Sequence, residues 1–233
     1  MGELKRSQAQ KAFDGLRRMI SSGALAPGDR LPSEQDLCAE LDVSRSSLRE
    51  AQKMLGFAGV LTSRTGAGTF VSALTAETVM SGLGVTIPLL PLEEYVGLFE
   101  MRQLLEGYAA AQAAAGFDEA QRERLLDLAQ QLAARSWRDD GAALDDAFHE
   151  LLASGAANEA IAVVLRSMRQ RGRHYRVFEH GDAEMLKRTS DHEHLRIAEA
   201  IRDRDPVRAQ LEATAHIRTT RGWLEGLQPA PEP

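Results

Sequence analysis

A chain of 233 residues, 43% of them apolar and 27% charged, has the length and make-up for one large or two modest globular domains with a real core. No apolar run approaches a bilayer span, the N-terminus lacks a signal-peptide pattern, and Cys38 is the only cysteine; a membrane protein and a disulfide scaffold are excluded, and a cytoplasmic location is expected. The net charge of −6 hides an asymmetry: the first 72 residues hold ten Lys/Arg against eight Asp/Glu, the remainder eighteen against twenty-six, so a mildly basic head that can touch DNA precedes an acidic body.

In chain order, Gln8 to Ser22 places Ala12, Leu16, Met19 and Ile20 at helical spacing, and Gly23 stops the helix. Pro27-Gly28-Asp29 is a turn signal. Ser33 then caps a helix from Glu34 through Leu41, with Asp36 in its first turn; Cys38 lies there among Leu37, Ala39 and Leu41, a buried position. Asp42 and Val43 leave room only for a tight turn, with Val43 as its buried hinge, before Ser44 caps a helix running to about Ala58. Two short helices joined so tightly, the second opening with Arg45, Ser46, Ser47 and Arg49, read as a helix-turn-helix. The guanidiniums of Arg45 and Arg49 suit guanine edges or phosphates, and the hydroxyls of Ser44, Ser46 and Ser47 suit phosphates or bases. The plainer alternative is a pair of helices with a solvated basic face. Val60–Ser63 and Thr69–Val71 favour strands around Arg64-Thr65-Gly66-Ala67-Gly68, a hairpin with a glycine-rich tip. Three helices plus this ribbon make a winged helix-turn-helix. The ribbon either closes the small domain or carries Arg64 and Gly66 into a minor groove, where glycine permits close backbone approach.

The run GALAPGDRLPSEQDLCAELDVSRSSLREAQKMLGFAGVLTSRTGAGTFV resembles the DNA-binding domain of the GntR family of bacterial transcription regulators. PGDRLPSE, VSRSSLREA and GAGTFV carry the likeness. The resemblance implies that Arg30, Arg45, Ser46, Arg49 and Gly66 contact DNA. Two positions depart from the family pattern, Gln52 after Arg49-Glu50-Ala51 and Gly56 inside the helix, and neither lies on the reading face.

Residues 73–90 read as a linker and 228–233 as a disordered tail rich in proline. From Pro91 to about Leu227 the pattern is all helix, over Leu92–Ala115, Asp118–Ala134, Gly141–Ala153, Asn158–Phe178, Asp182–Arg202 and Pro206–Leu224. The expected fold is thus mainly α: a winged helix-turn-helix over 1–72 and an all-α bundle over 91–227.

In the second part Asp145 and His149 stand four apart and share a helix face, while His194 and His216 fall on two later helices. Together they could form one cluster of donors suited to zinc, nickel, manganese or iron; equally, Asp145 and His149 could be a simple surface pair. The same half is similar to the helical FCD effector domain of the FadR-type branch of GntR regulators, through MRQLLEGYAAAQAA, DDAFHELLASGAAN, HLRIAEAIRDRD and AHI. That resemblance implies a divalent metal, zinc first, on Asp145, His149, His194 and His216. His192 is the competing residue, while His174 and His180 match nothing and read as surface residues. Arg204-Asp205 replaces the family's usual Gly-Asp before the last helix. Arg102 either pairs with Glu106 four residues on or holds a carboxylate effector. The arginines from Arg166 to Arg176 are a solvated face from which one member could line the pocket. The expected function is a homodimeric transcription regulator, a repressor by family habit, that binds a palindromic operator and responds to a small carboxylate. A regulator sensing metal alone is the alternative, and a metalloenzyme a weaker one.

Overall fold

The computed structural model describes residues 7–80, 82–136, 140–173, 175, 177–179 and 182–229, which form two compact units meeting in sequence at Gly82 and Leu83. His174, Arg176, His180, the side chain of Arg173 and the tail from Ala230 onward lie outside the described residues.

In the first unit, α1 (Gln8–Ser21) starts where the Ser7 hydroxyl accepts the Gln10 N–H, and it buries Ala12 and Leu16 completely. α2 (Glu34–Leu41) and α3 (Arg45–Phe57) begin at Ser33 and Ser44, whose hydroxyls accept the N–H groups of Asp36 and Ser47. Such caps satisfy donors that have no partner inside the helix. Asp42 ends α2 in the left-handed region at φ 50°, and Lys11 bonds both its carbonyl and its carboxylate, at 2.9 and 2.7 Å. α1 is thereby tied to the turn between the two reading helices. Leu25, Leu31, Leu37, Leu48, Leu55, Leu61 and Val71 complete this core. Val43 packs against it half-buried, and Cys38 is also only half-buried, with Ala39 exposed. The expected burial of Cys38 is therefore corrected: α2 is only two turns long and turns Leu37 alone fully inward.

β1 (Leu61–Arg64) and β2 (Gly68–Val71) pair antiparallel, with Leu61 opposite Val71 and Arg64 opposite Gly68. Pairing starts one residue later than expected because the Val60 N–H is used by the Leu55 carbonyl at 2.8 Å to close the end of α3. The turn segment adds to the other edge of β2: Leu31 N donates to Thr69 O, and Val71 N donates to Asp29 O, each at 2.8 Å. This bonding leaves few open groups along the strand. α4 (Ala76–Met80) follows, with the Thr75 hydroxyl accepting the Thr78 N–H.

The second unit opens with α5 (Leu83–Thr86) and a 3₁₀ turn over Ile87–Leu89, in which Ile87 is buried against Tyr95, Phe99 and Met168. The stretch read as a linker thus ends in packed structure. The single helix expected from Leu92 is two, α6 (Leu92–Gly97) and α7 (Phe99–Gly116). Around Gly97 the ladder tightens to an i→i+3 bond from Leu98 N to Tyr95 O, and glycine is a weak point in a helix interior. α8 (Glu119–Ala134) begins with a reciprocal capping box between Asp118 and Gln121. α9 (Ala142–Ser154) and α10 (Glu159–Arg173) follow, then a 3₁₀ turn over Val177–Glu179. The helix expected to reach Phe178 therefore stops short. α11 (Ala183–Arg202) and α12 (Pro206–Leu227) start from the side chains of Asp182 and Asp205.

α7 carries a buried stripe of Ala109, Ala110, Ala113 and Ala114, which lets its neighbours approach closely. Thr214 Oγ1 donates to Gln103 O, and a Cβ on Gly107 would meet Thr214 and Gln210, so α12 runs antiparallel against α7. At the end of α9 a Cβ on Gly155 would lie 2.8 Å from the Ala109 carbonyl oxygen and 2.6 Å from the Ala113 Cβ. Gly155→Ala is expected to lose about 1–3 kcal/mol by overpacking against backbone. Replacing a glycine returns at most about 1 kcal/mol of helix propensity. Denaturant unfolding measures the balance, and an unchanged or higher midpoint would contradict this packing.

Candidate functional site

In the first unit the opening turn of α3 gathers the reading residues. Arg45, Ser46 and Arg49 are exposed, and with Glu50 and Lys53 they line an open hollow of about 480 Å³. Ser44 and Ser47 are committed to the helix start: the Ser44 Oγ donates to Ser47 Oγ at 2.9 Å and caps the Ser47 N–H. Arg49 is not a bare fork. Its Nε and Nη2 donate to the two carboxylate oxygens of Glu34 on α2, at 2.8 and 3.0 Å. That bond, more than its charge alone, holds the Glu34 carboxyl below the usual range. At the wing Gly66 has φ +75° and Gly68 φ +108°, conformations that suit glycine. The Arg64 guanidinium lies 4.6 Å over the Phe70 ring. A Cβ on Gly68 would touch the Arg30 guanidinium at 3.0 Å, so Arg30 is folded against the start of β2, beside the wing tip. Lys53 escaped the reading of the sequence, although its place one turn after Arg49 was the signal.

In the second unit α9, α11 and α12 bring His149, His194 and His216 together, with relative exposures of only 3%, 1% and 5%. One ring nitrogen or equivalent donor atom from each lies within 4.8 Å of the others. The Nε2 atoms of His149 and His194 are 3.1 Å apart. Asp145 Oδ1 stands 3.8 and 3.6 Å from those same two nitrogens, while Arg169 Nη2 donates to Asp145 Oδ2 at 2.5 Å. His192 is exposed, away from the cluster.

A second layer braces the first. Glu193 Oε2 meets His216 Nδ1 at 2.9 Å and its Oε1 accepts the Thr219 hydroxyl, which leaves Nε2 of His216 as the ring atom open to a ligand. Glu106 Oε2 lies 3.2 Å from His149 Nδ1, close but off line for a hydrogen bond, and its Oε1 accepts from Arg102 Nε and Nη2 at 3.1 and 2.7 Å. The pair weighed for Arg102 therefore exists, buried. The His194 Nδ1 is buried without a hydrogen-bond partner among the described residues. Glu193 was missed in the sequence, where nothing marks it; Glu106 was read there only as the partner of Arg102, and Arg169 only as one of an arginine-rich run.

The electrostatics favour uncharged imidazoles on His149 and His194 beside ionised carboxylates. Burial, helped by the Arg169 charge, lowers His149 to about 4. Burial and the neighbouring His216 hold His194 well below its usual value. For Asp145 burial pushes the other way, but Arg169 and the imidazoles outweigh it and keep the carboxyl low; Arg102 does the same for Glu106. Lone pairs on neutral imidazoles and an anionic oxygen are the protonation states a metal requires, so the donor set fits a divalent ion. Beside the cluster a cavity of about 360 Å³ is lined by Arg102, Asp145, His149, Arg169 and His216 among others. The structure thus gathers all four predicted donors and places Arg102 on the same cavity.

Two family descriptions match the two units: "Bacterial regulatory proteins, gntR family" over residues 8–71 and the FCD domain over residues 97–219. The chain belongs to the gntR family. It is a DNA-binding transcription regulator with an FCD domain, in a family of regulators and not of enzymes. Relatives in the gntR family include the HTH-type transcriptional regulator LutR of Bacillus subtilis, 29% identical and covering 89% of this chain and 97% of the relative. The Glc operon transcriptional activator of Escherichia coli K12 is 28% identical over 98% of this chain and 93% of its own. A solved structure described as Streptococcus agalactiae GntR superposes with a TM-score of 0.58 at 28% identity, covering 92% of this chain and 99% of that one. Among the described residues no helix is long and apolar enough to cross a membrane.

Proposed function

We propose that this gntR-family chain is a cytoplasmic homodimer that represses from a palindromic operator and is released when a small carboxylate binds beside a divalent metal. The metal is held by Asp145, His149, His194 and His216, and zinc is the first choice, ahead of nickel, manganese and iron. The observation that carries this reading is the convergence of three buried imidazoles and one carboxylate beside a cavity that Arg102 and Arg169 line. When bound, the metal would supply a Lewis-acidic centre for an oxygen donor. Arg102 and Arg169 then orient the carboxylate, Glu106 and Glu193 fix the histidine rings, and the surrounding apolar side chains exclude water. Arg30, Arg45, Ser46, Arg49, Arg64 and Gly66 contact DNA, with Ser44 and Ser47 shaping the helix start that Arg45 leads.

Two copies are supported by an exposed apolar face on the antiparallel α7–α12 pair: Met101, Leu104 and Tyr108 on one helix, Val207 and Leu211 on the other. A monomer has no use for Leu104 at 74% exposure amid such neighbours, whereas a second copy buries it. Leu104→Glu is expected to convert the dimer to monomer in sedimentation, and an undiminished dimer would remove this face from the interface.

A second reading has an observation of its own. Both lining arginines are already paired, Arg102 with Glu106 and Arg169 with Asp145, so metal alone could be the signal. The test uses full-length protein stripped by chelator, an operator selected from random duplexes, and zinc with or without lactate. Release that needs both zinc and carboxylate supports the first reading. Release by zinc alone favours the second, because an effector shifts an equilibrium only through unequal affinity for the two states.

A further inference from the structure

The cavity continues well beyond its charged residues. Trp223 lies seven residues after His216 on α12, two turns or roughly 10 Å along the axis. It meets Phe178 edge to face, with ring centroids 6.1 Å apart, and both rings line the same cavity. Val177 and the buried Leu224 lie beside them, and Tyr95 and Phe99, wholly buried and also edge to face at 5.3 Å, extend the apolar lining. The lining cations among the described residues are Arg102 and Arg169, which belong to the half containing the histidines. The Thr220 hydroxyl is spent on the His216 carbonyl at 3.1 Å. Glu179, exposed and next to Phe178, also lines the cavity, and its carboxylate would repel a second carboxylate on the ligand. Apart from it this remote part offers little to a row of hydroxyls, and each buried hydroxyl without a partner weakens binding. It offers aromatic edges and faces to another ring.

We propose that the effector is a monocarboxylate bearing an aryl or similarly bulky apolar group, selected by the wall that Phe178 and Trp223 form. The inference rests on the carboxylate reading above and specifies the other end of the ligand.

Four 2-hydroxy acids with a common head separate the two claims: 3-phenyllactate, lactate, malate and gluconate, each titrated calorimetrically into the zinc-loaded full-length protein. The expected result is that 3-phenyllactate binds about tenfold or more tightly than the other three, the effect of burying a phenyl group. Trp223→Ala should erase that preference, with a cooperative melt showing that the variant is folded, and Trp223→Phe should keep it. Malate or gluconate binding as tightly as 3-phenyllactate would overturn the apolar wall while leaving the carboxylate reading standing. So would a Trp223→Ala protein with its preference intact. Binding by none of the four would overturn both.

Discussion

His194→Ala is expected to weaken zinc binding more than about 100-fold, whereas His192→Ala changes it less than about twofold. Loss of a partner behind a metal ligand already costs about 10–100-fold, and His194 stands at the centre of the donors. Its Nε2 is 3.1 Å from that of His149 and 3.6 Å from Asp145 Oδ1, and its ring centroid is 4.5 Å from that of His216. Without it two imidazoles and a carboxylate remain, too few for a closed tetrahedral site. His192 shares the helix but is exposed. Competition with a chromophoric chelator gives both affinities, and a melt of the stripped proteins shows whether each still folds. Equal losses in the two variants would break the assignment of His194.

Arg45→Ala is expected to weaken operator binding about 10- to 150-fold and to relax base preference at one position in each half-site, the pattern of a lost bidentate base contact. Arg49→Ala should weaken binding too, by a different route. Its guanidinium is shared with Glu34 in the free protein, and both side chains are solvent-accessible. An exposed pair of this kind is weakly held and readily exchanged for a phosphate, which carries the stronger field. Glu34→Gln should therefore tighten binding, and Arg49→Ala should lower the salt slope by about one contact. Titrations across a series of salt concentrations distinguish the two arginines. If Glu34→Gln weakened binding, Glu34 would be orienting Arg49 for DNA and not competing for it.

Much of the architecture was legible because its signals are local. Ser33 and Ser44 announce helix starts through a bond to an N–H three residues on, and both make it; Asp118, Asp182 and Asp205 do the same at the heads of later helices. The glycine tip of the ribbon was equally readable, and only the strand bounds differ, each strand running one residue nearer the tip. Breaks within helical patterns were harder to read, since apolar periodicity continues through Leu98, where the chain turns.

The candidate site divides along the same line. That Asp145 and His149 share a helix face follows from 3.6 residues per turn, a property of the sequence by itself. Bringing His149 to His194 spans 45 positions, Asp145 to Arg169 spans 24, and His216 to Glu193 spans 23. Those meetings depend on how α9 to α12 pack around α7, where an alanine stripe and Gly155 permit close approach. Arg49 makes the same point in the reading head: its charge is written in the sequence, but its engagement by Glu34 appears only when α2 is laid against α3. Residue types and local spacing determined that this chain carries a helix-turn-helix and four potential metal donors. Which carboxylates and guanidiniums surround those donors, and the aromatic wall beyond them, were decided by tertiary packing, because contacts between distant helices leave no periodic trace along the chain.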